Sequence, residues 1–373
     1  MKIDNSQIPG PRFMFAIAFF LQSSALLTSF ISGVTEQESW MTIVFAIVLS
    51  VPLLYLYRTL MVMFPDKNFL EIMDAVYGRI LGKILGIGYA WFFITLSALN
   101  MHDLGDFAKI TVMTETPHLV LAMLCILVAV YAVRHGLRVV TQYGTLFTYI
   151  EFGIVAITFI LLLNQLDIHH LLPIFNLPAI KYVQSTHLIL TIPFGELVVF
   201  LMLTPCVKMN PKQATKYWFW GVMMGMLTLL AVNVRDIAIL GKTFDMFTLP
   251  GLVTLRLVSL GQALSRMEIL FAVALIMLLF FKITVLCYVS TITVAQLFNT
   301  TAYRHLALIM GLLIIFYGPT LYPDPVAHTL SAWEVIPFIW TIFEFLIPFL
   351  TFILAKIRKL PQKRQAAAGS QEV

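Results

Sequence analysis

The chain has 373 residues, of which 60% are hydrophobic and only 12% charged. That excludes an ordinary soluble domain, which cannot hide so much apolar surface, and the long continuous runs exclude the alternating strands of a membrane barrel. The net charge of +5 does not call for nucleic acid, because an excess of Lys and Arg marks the cytoplasmic side of a membrane protein.

Apolar runs long enough to cross a bilayer as helices recur along the chain. Ten spans are expected, near 12–34, 39–63, 84–104, 118–134, 143–163, 185–205, 216–240, 267–297, 305–321 and 334–355. No cleavable leader is expected ahead of the first. "NFLEIMDAVYG" between spans two and three reads as a short amphipathic surface helix. "LPGLVTLRLVSLGQALS" between spans seven and eight is too polar to span comfortably, with Arg256 at its centre, and is expected as a helix on the outer surface. The basic stretches "RHGLR", "KMNPKQATK" and "KIRKLPQKR" alternate with loops such as "TEQES" and "YPDPVAH" that carry no Lys or Arg. Together they place both termini in the cytoplasm.

Two spans are interrupted. Span one carries Gln22, Ser23 and Ser24 mid-membrane, and span six carries Pro193, Gly195 and Glu196 within "LTIPFGELVVFLML". Proline removes a helix hydrogen bond and glycine tolerates the opened backbone. Freed backbone groups in a bilayer need protein, water or a ligand as partner. Broken helices at matching places in two halves point to an inverted-repeat transporter fold with its site at the gap. One half-helix end suits a carboxylate and the other an ammonium group, so a free amino acid fits both.

Glu196 costs roughly 2.5–3.5 kcal/mol if left bare at the bilayer centre. Lys282, in "LLFFKITVLCYVS", is the one cation deep in a span, and Glu196, Glu151 and Glu344 are its three candidate partners. It is read either as a structural ion pair or as a fixed charge standing where a sodium-coupled relative would bind an ion. Thr284 and Tyr288, four residues apart, share a helix face distinct from that of Lys282, and that face is assigned to the cavity. Asp103, Asp106, Lys109 and Glu115 cluster at the outer end of span three, as a solvated helix end or as a vestibule. Cys125, Cys206 and Cys287 are scattered and form no metal or disulfide pattern. His169 and His170 have no further ligand nearby. With no phosphate loop, serine triad or metal constellation, neither enzymatic activity nor a cofactor or metal is expected.

The residues also carry a resemblance. "KIDNSQIPG", the long stretch from "ESWMTIVFAIVLSVPLLYLYRTLMVMFP" to "GRILGKILG", "TETPHLVLAMLCILVAVYAVRHGLRVV", "LLPIF", "PFGELVVFLMLTPCV" and "SRMEILFAVALIMLLFFKITVLCY" follow in order over nearly the whole chain. In that order and spacing the chain resembles the B subunit of bacterial spore germinant receptors, within the amino acid–polyamine–organocation transporter superfamily. There are departures: span one has "LQSSA" where the family often has a glycine-rich break, Ser265-Arg266 replaces a usual Glu-Arg, and His102 stands where arginine is frequent.

The resemblance implies an all-α, five-plus-five inverted-repeat fold like leucine transporters. Repeat one would cover about 12–163 and repeat two about 185–321, with an extra helix at 334–355 and a basic tail at 361–373. It implies an integral protein of the spore inner membrane that binds a small germinant, often an amino acid, and relays binding to A and C subunits. Carried over, the ligand site would use Gln22, Ser23, Ser24 and Ala25 of span one, Phe194, Gly195 and Glu196 of span six, Thr284 and Tyr288 of span eight, and Trp91 to Thr95 of span three. The competing expectation is a secondary amino acid transporter, proton-coupled through Glu196 or Asp106.

Overall fold

The computed structural model describes residues 7–24, 27–111, 117–207, 209–257, 267–322 and 325–361. Ala25, Glu115, Ser265, Arg266, the opening residues 1–6 and most of the basic tail lie outside them. All the regular structure described is helical, and one isolated bridge, parallel between Ile8 and Val207, ties the N-terminal segment to the end of span six.

Helix α1 (Gly10–Gln22) starts at Pro9 and Pro11, whose fixed backbone angle suits a first turn, and ends in a turn at Ser23 and Ser24. Helix α2 (Leu27–Thr35) resumes the path. Then come α3 (Ser39–Met63), α4 (Phe69–Tyr77), α5 (Arg79–Thr111), α6 (His118–Arg134) and α7 (Leu137–Leu162). The expected surface helix is α4, closed by a reciprocal cap in which Asn68 accepts from the Glu71 amide and Glu71 from the Asn68 amide. Gly78, at a φ of 88°, lets the chain reverse from α4 into α5.

Span six is not one helix. Helix α8 (Ala179–Ile189) loosens into a π-turn over Leu190–Phe194, where Ile192 has non-helical angles (φ −113°, ψ 110°), and continues as a tighter 3₁₀ segment over Gly195–Met202. After it come α9 (Pro211–Leu240), α10 (Pro250–Arg256), α11 (Glu268–Leu297), α12 (Tyr303–Leu321), α13 (Pro325–Glu334), α14 (Ile336–Thr341) and α15 (Ile347–Ile357). The Pro250–Arg256 helix buries Gly251, Leu252 and Leu255 and exposes Arg256. The rest of that predicted stretch, 258–266, lies outside the described residues.

Eight helices among the described residues are long and apolar enough to cross a membrane. Of the ten expected spans, the first is divided at Ser23 and Ser24 and the fourth, α6, is a shorter apolar helix. Interior hydroxyls are satisfied locally: Thr148, Thr284, Ser290 and Thr291 each donate to the carbonyl four residues back. Such back-bonding lets a helix carry polar side chains where no water reaches. Helix α1 packs on α7, α9 and α11, and α11 packs on α5, so α11 runs through the middle of the bundle. Its stretch from Leu278 to Ala295 is almost wholly buried.

Candidate functional site

The Lys282 ammonium stands in the middle of this core, with both it and Glu196 only 2–3% exposed. Its Nζ lies 2.5 Å from Glu196 Oε2 and donates to Ser24 Oγ at 2.8 Å. The ring of Phe20 lies 5.3 Å away and receives the cation on its face. One side chain of α11 thus fastens the end of α1 to the second half of span six. Of its three candidate partners, Glu196 is the one in ion-pair contact. Glu196 sits in the first turn of the Gly195–Met202 segment, which follows directly on the π-turn.

Around this pair lies a cavity of about 50 Å³, lined by Ser23, Ser24, Asn100, Ile192, Glu196 and Lys282 among others. Trp340 also lines it, and its buried indole N–H has no hydrogen-bond acceptor. Helix α11 offers Leu279 and Lys282 to this space. Thr284 and Tyr288 are not part of the lining: Thr284 is spent on the Phe280 carbonyl, and Tyr288 packs edge-on to Tyr303, 6.4 Å between centroids. Trp91 is 42% exposed and reaches the site only through Trp340, 5.9 Å away. Gln22, adjacent to Ser23, lines a different cavity with Glu151. Phe194 is fully buried beside the gap without lining it.

Gly195 has its own neighbour. The carboxylate of Glu344, from a π-turn at Ile342–Leu346 in the last span, fills the place a β-carbon would take. Both Glu344 oxygens are buried and without a hydrogen-bond partner. Tyr57 clamps the two segments together, donating to the Gly195 carbonyl at 3.0 Å and the Glu344 carbonyl at 2.6 Å. Tyr89 donates to the neighbouring Phe343 carbonyl at 2.5 Å. Tyr57→Phe is expected to cost about 1–3 kcal/mol by removing the shared donor from two buried carbonyls, readable as a lowered unfolding midpoint in detergent.

A wider cavity of about 320 Å³ lies beyond, lined by Asp103, Asp106, Asp245, Phe30, Trp333 and His328 among others. Asp103, Phe30 and His328 line both spaces. His328 Nδ1 lies 3.7 Å from Asp103 Oδ1, and His102 Nε2 lies 3.3 Å from Asp106 Oδ2. Burial pulls the His328 imidazole below the usual histidine range, with Asp106 acting against it. Of the group expected at the outer end of span three, Asp103 and Asp106 line this wider space, Lys109 does not, and Glu115 lies outside the described residues. His328 and Trp340 were not expected; they come from segments far along the chain, and nothing in their local sequence marks them.

The comparisons agree with this architecture. Among solved structures, the chain resembles Mhp1, a nucleobase-cation-symport-1 family transporter with bromovinylhydantoin bound, at a TM-score of 0.61 and 11% identity over 93% of this chain and 82% of that one. It also resembles MhsT in complex with L-phenylalanine, at a TM-score of 0.59 and 12% identity over 94% and 89%. The fold is that of the leucine-transporter-like symporters. By sequence it is 24% identical to spore germination protein KB of Bacillus subtilis (strain 168) over 96% of both chains, and 22% identical to the putative spore germination protein YfkT of the same organism over 87% and 89%. A family model described as spore germination protein matches residues 7–322. The chain is a member of the spore germination protein family, an integral membrane protein on a transporter fold.

Proposed function

We propose that this chain binds a small germinant in the Lys282 cavity, with an amino acid as the best chemical fit, and passes the binding event to A and C subunits in the spore inner membrane. Both termini would face the cytoplasm, following the basic loops. The observation that carries the reading is the single lysine that ties both interrupted segments to α11. Lys282 and Glu196 already form a cation and an anion at a polar gap. An amino acid brings the same two charges, so its carboxylate can take Lys282 and the Trp340 N–H while its ammonium takes Glu196.

Exchanging partners in that way gives the ligand a different affinity for the joined and separated arrangements of α1 and span six. Differential affinity of this kind is what a conformational relay requires. The vestibule carboxylates favour approach of the ammonium end. The relay would run through helix surfaces and short loops to partner subunits.

The symporter fold supports a second reading, a secondary amino acid transporter in which Lys282 holds the place of a coupling cation. Labelled amino acids offered to vesicles containing this chain alone separate the two. No accumulation is expected, together with a germination response that vanishes when the A or C subunit is deleted. Uptake by the chain alone, with a response that survives those deletions, would replace the receptor with the transporter.

A further inference from the structure

A second, partly open chamber lies beside the α1 terminus. It measures about 70 Å³ and sits between α1, α7, α9 and α11, with the short helix α10 across it. Gln22 is 3% exposed, and neither its amide oxygen nor its amide nitrogen has a partner. Glu151 is 4% exposed, and its Oε2 has no partner either. Both line the same chamber. Unpaired polar atoms are rare in protein interiors, and two such side chains facing one space mark a missing partner.

The charges say what that partner is. Arg235 also lines the chamber, but its hydrogen bonds go to Asp236 Oδ1, at 2.9 Å from Nε and 2.7 Å from Nη2, and to Thr158 Oγ1 at 2.7 Å. None of the Arg235 hydrogen bonds reaches the Glu151 carboxyl group. A buried carboxylate needs a positive charge beside it to stay ionised, and a cationic occupant would supply one. Besides Thr158 and Asp236, which are engaged with Arg235, the lining offers Glu151 Oε2, Gln22 Oε1 and the Thr228 hydroxyl, which donates to the Met224 carbonyl and keeps its lone pairs. Three acceptors match the three N–H groups of a primary ammonium. Calcium and magnesium want six or more oxygens. The remaining walls, Leu229, Val232, Phe271, Leu275 and Leu278, are hydrocarbon. A cavity of roughly 150 Å³ takes benzene, so half that volume suits a tail of two to four carbons.

We propose that this chamber is a binding site for a small primary ammonium ion with a short hydrocarbon tail, its nitrogen seated among Gln22, Glu151 and Thr228. The site is separate from the Lys282 cavity, and the proposal does not depend on what that cavity binds. Gln22 and Ser24 are two residues apart on one chain interruption, so occupancy here bears on the strand of chain that Lys282 holds.

The test uses the full chain in neutral phosphatidylcholine nanodiscs, with n-propylammonium chloride as probe. Its binding is followed by calorimetry and by thermal unfolding. Propylammonium is expected to bind and to raise the unfolding temperature, while tetramethylammonium, which has no N–H, and propanol, which has no charge, do not. Glu151→Gln is expected to weaken binding by at least about tenfold, the loss of one charge-assisted contact. Leu229→Trp, which fills the tail space and leaves the charges alone, is expected to abolish binding. Three results would each overturn the proposal. Equal stabilisation by sodium or potassium chloride would make the chamber an inorganic cation site. No heat and no shift with any probe would make it a water pocket. Propylammonium binding unchanged in both variants would place the amine elsewhere, with the acidic vestibule as its seat.

Discussion

Replacing Lys282 with methionine is expected to destabilise the protein by about 3–5 kcal/mol, because Glu196 is then left buried without its counter-charge. Glu196→Gln leaves the lysine bare and is expected to cost a similar amount. The double variant is the informative one. A buried ion pair replaced whole by neutral groups is often tolerated without loss, so Lys282→Met with Glu196→Gln should recover most of what each single change removes. Unfolding midpoints of the four proteins in one detergent give the coupling energy directly. The functional readout is expected to part from the structural one: the double variant folds, yet spores carrying it stay unresponsive to the germinant, since the charges that would exchange partners with an amino acid are gone. Additive losses in the double variant would mean that Lys282 and Glu196 are not partners in the membrane.

Much of this geometry was legible in the sequence, and the reasons differ from place to place. The spans were readable because hydrophobic length is a bulk property that tolerates errors of a few residues. The capped helix at Asn68 was readable as an amphipathic stretch, and its cap lies in four consecutive residues. The loosening at Ile192 was readable because Pro193 acts on its own backbone. What crosses the bundle was not. Glu196, Glu151 and Glu344 all looked suited to Lys282, and only packing separates them: Glu196 meets the lysine, Glu151 faces a chamber with Gln22, and Glu344 lies against Gly195.

Two further differences lie in which cavity a side chain faces. Gln22 closes the last turn of α1, whereas Ser23 and Ser24 lie in the turn that follows, and the structure places Gln22 on a different cavity from the two serines. On α11 the argument from phase correctly separated Lys282 from Thr284 and Tyr288. The cavity, however, meets the lysine's face. A hydroxyl four residues from a free carbonyl can satisfy itself, whereas an ammonium in a bilayer cannot, so the ammonium was the stronger marker of the polar space. Trp91 was carried by resemblance alone, and it stands partly exposed, packed against Trp340 and Phe343.

Gly195→Ala is expected to damage the protein far more than adding one methyl group usually does. A β-carbon at this position runs into the Glu344 carboxylate, and the approach is too close for adjustment by a few tenths of an ångström. Neither side yields cheaply. Tyr57 holds the Gly195 and Glu344 carbonyls together, and both residues are buried. Overpacking of this kind costs about 1–3 kcal/mol, and because it acts at the turn between the two parts of span six, it should blunt the germinant response as well. Glu344→Ala makes room. Combined with Gly195→Ala, it is expected to restore the unfolding midpoint lost in the single variant, because it removes both the obstructing atoms and a buried carboxyl group that has no hydrogen-bond partner. Rescue by Glu344→Ala but not by a change on another span, such as Leu53→Ala on α3, would show that the small residue beside Glu196 is required to make space for a carboxylate from the last helix. If the double variant is as impaired as Gly195→Ala alone, the close contact between span six and the last span is not what limits position 195.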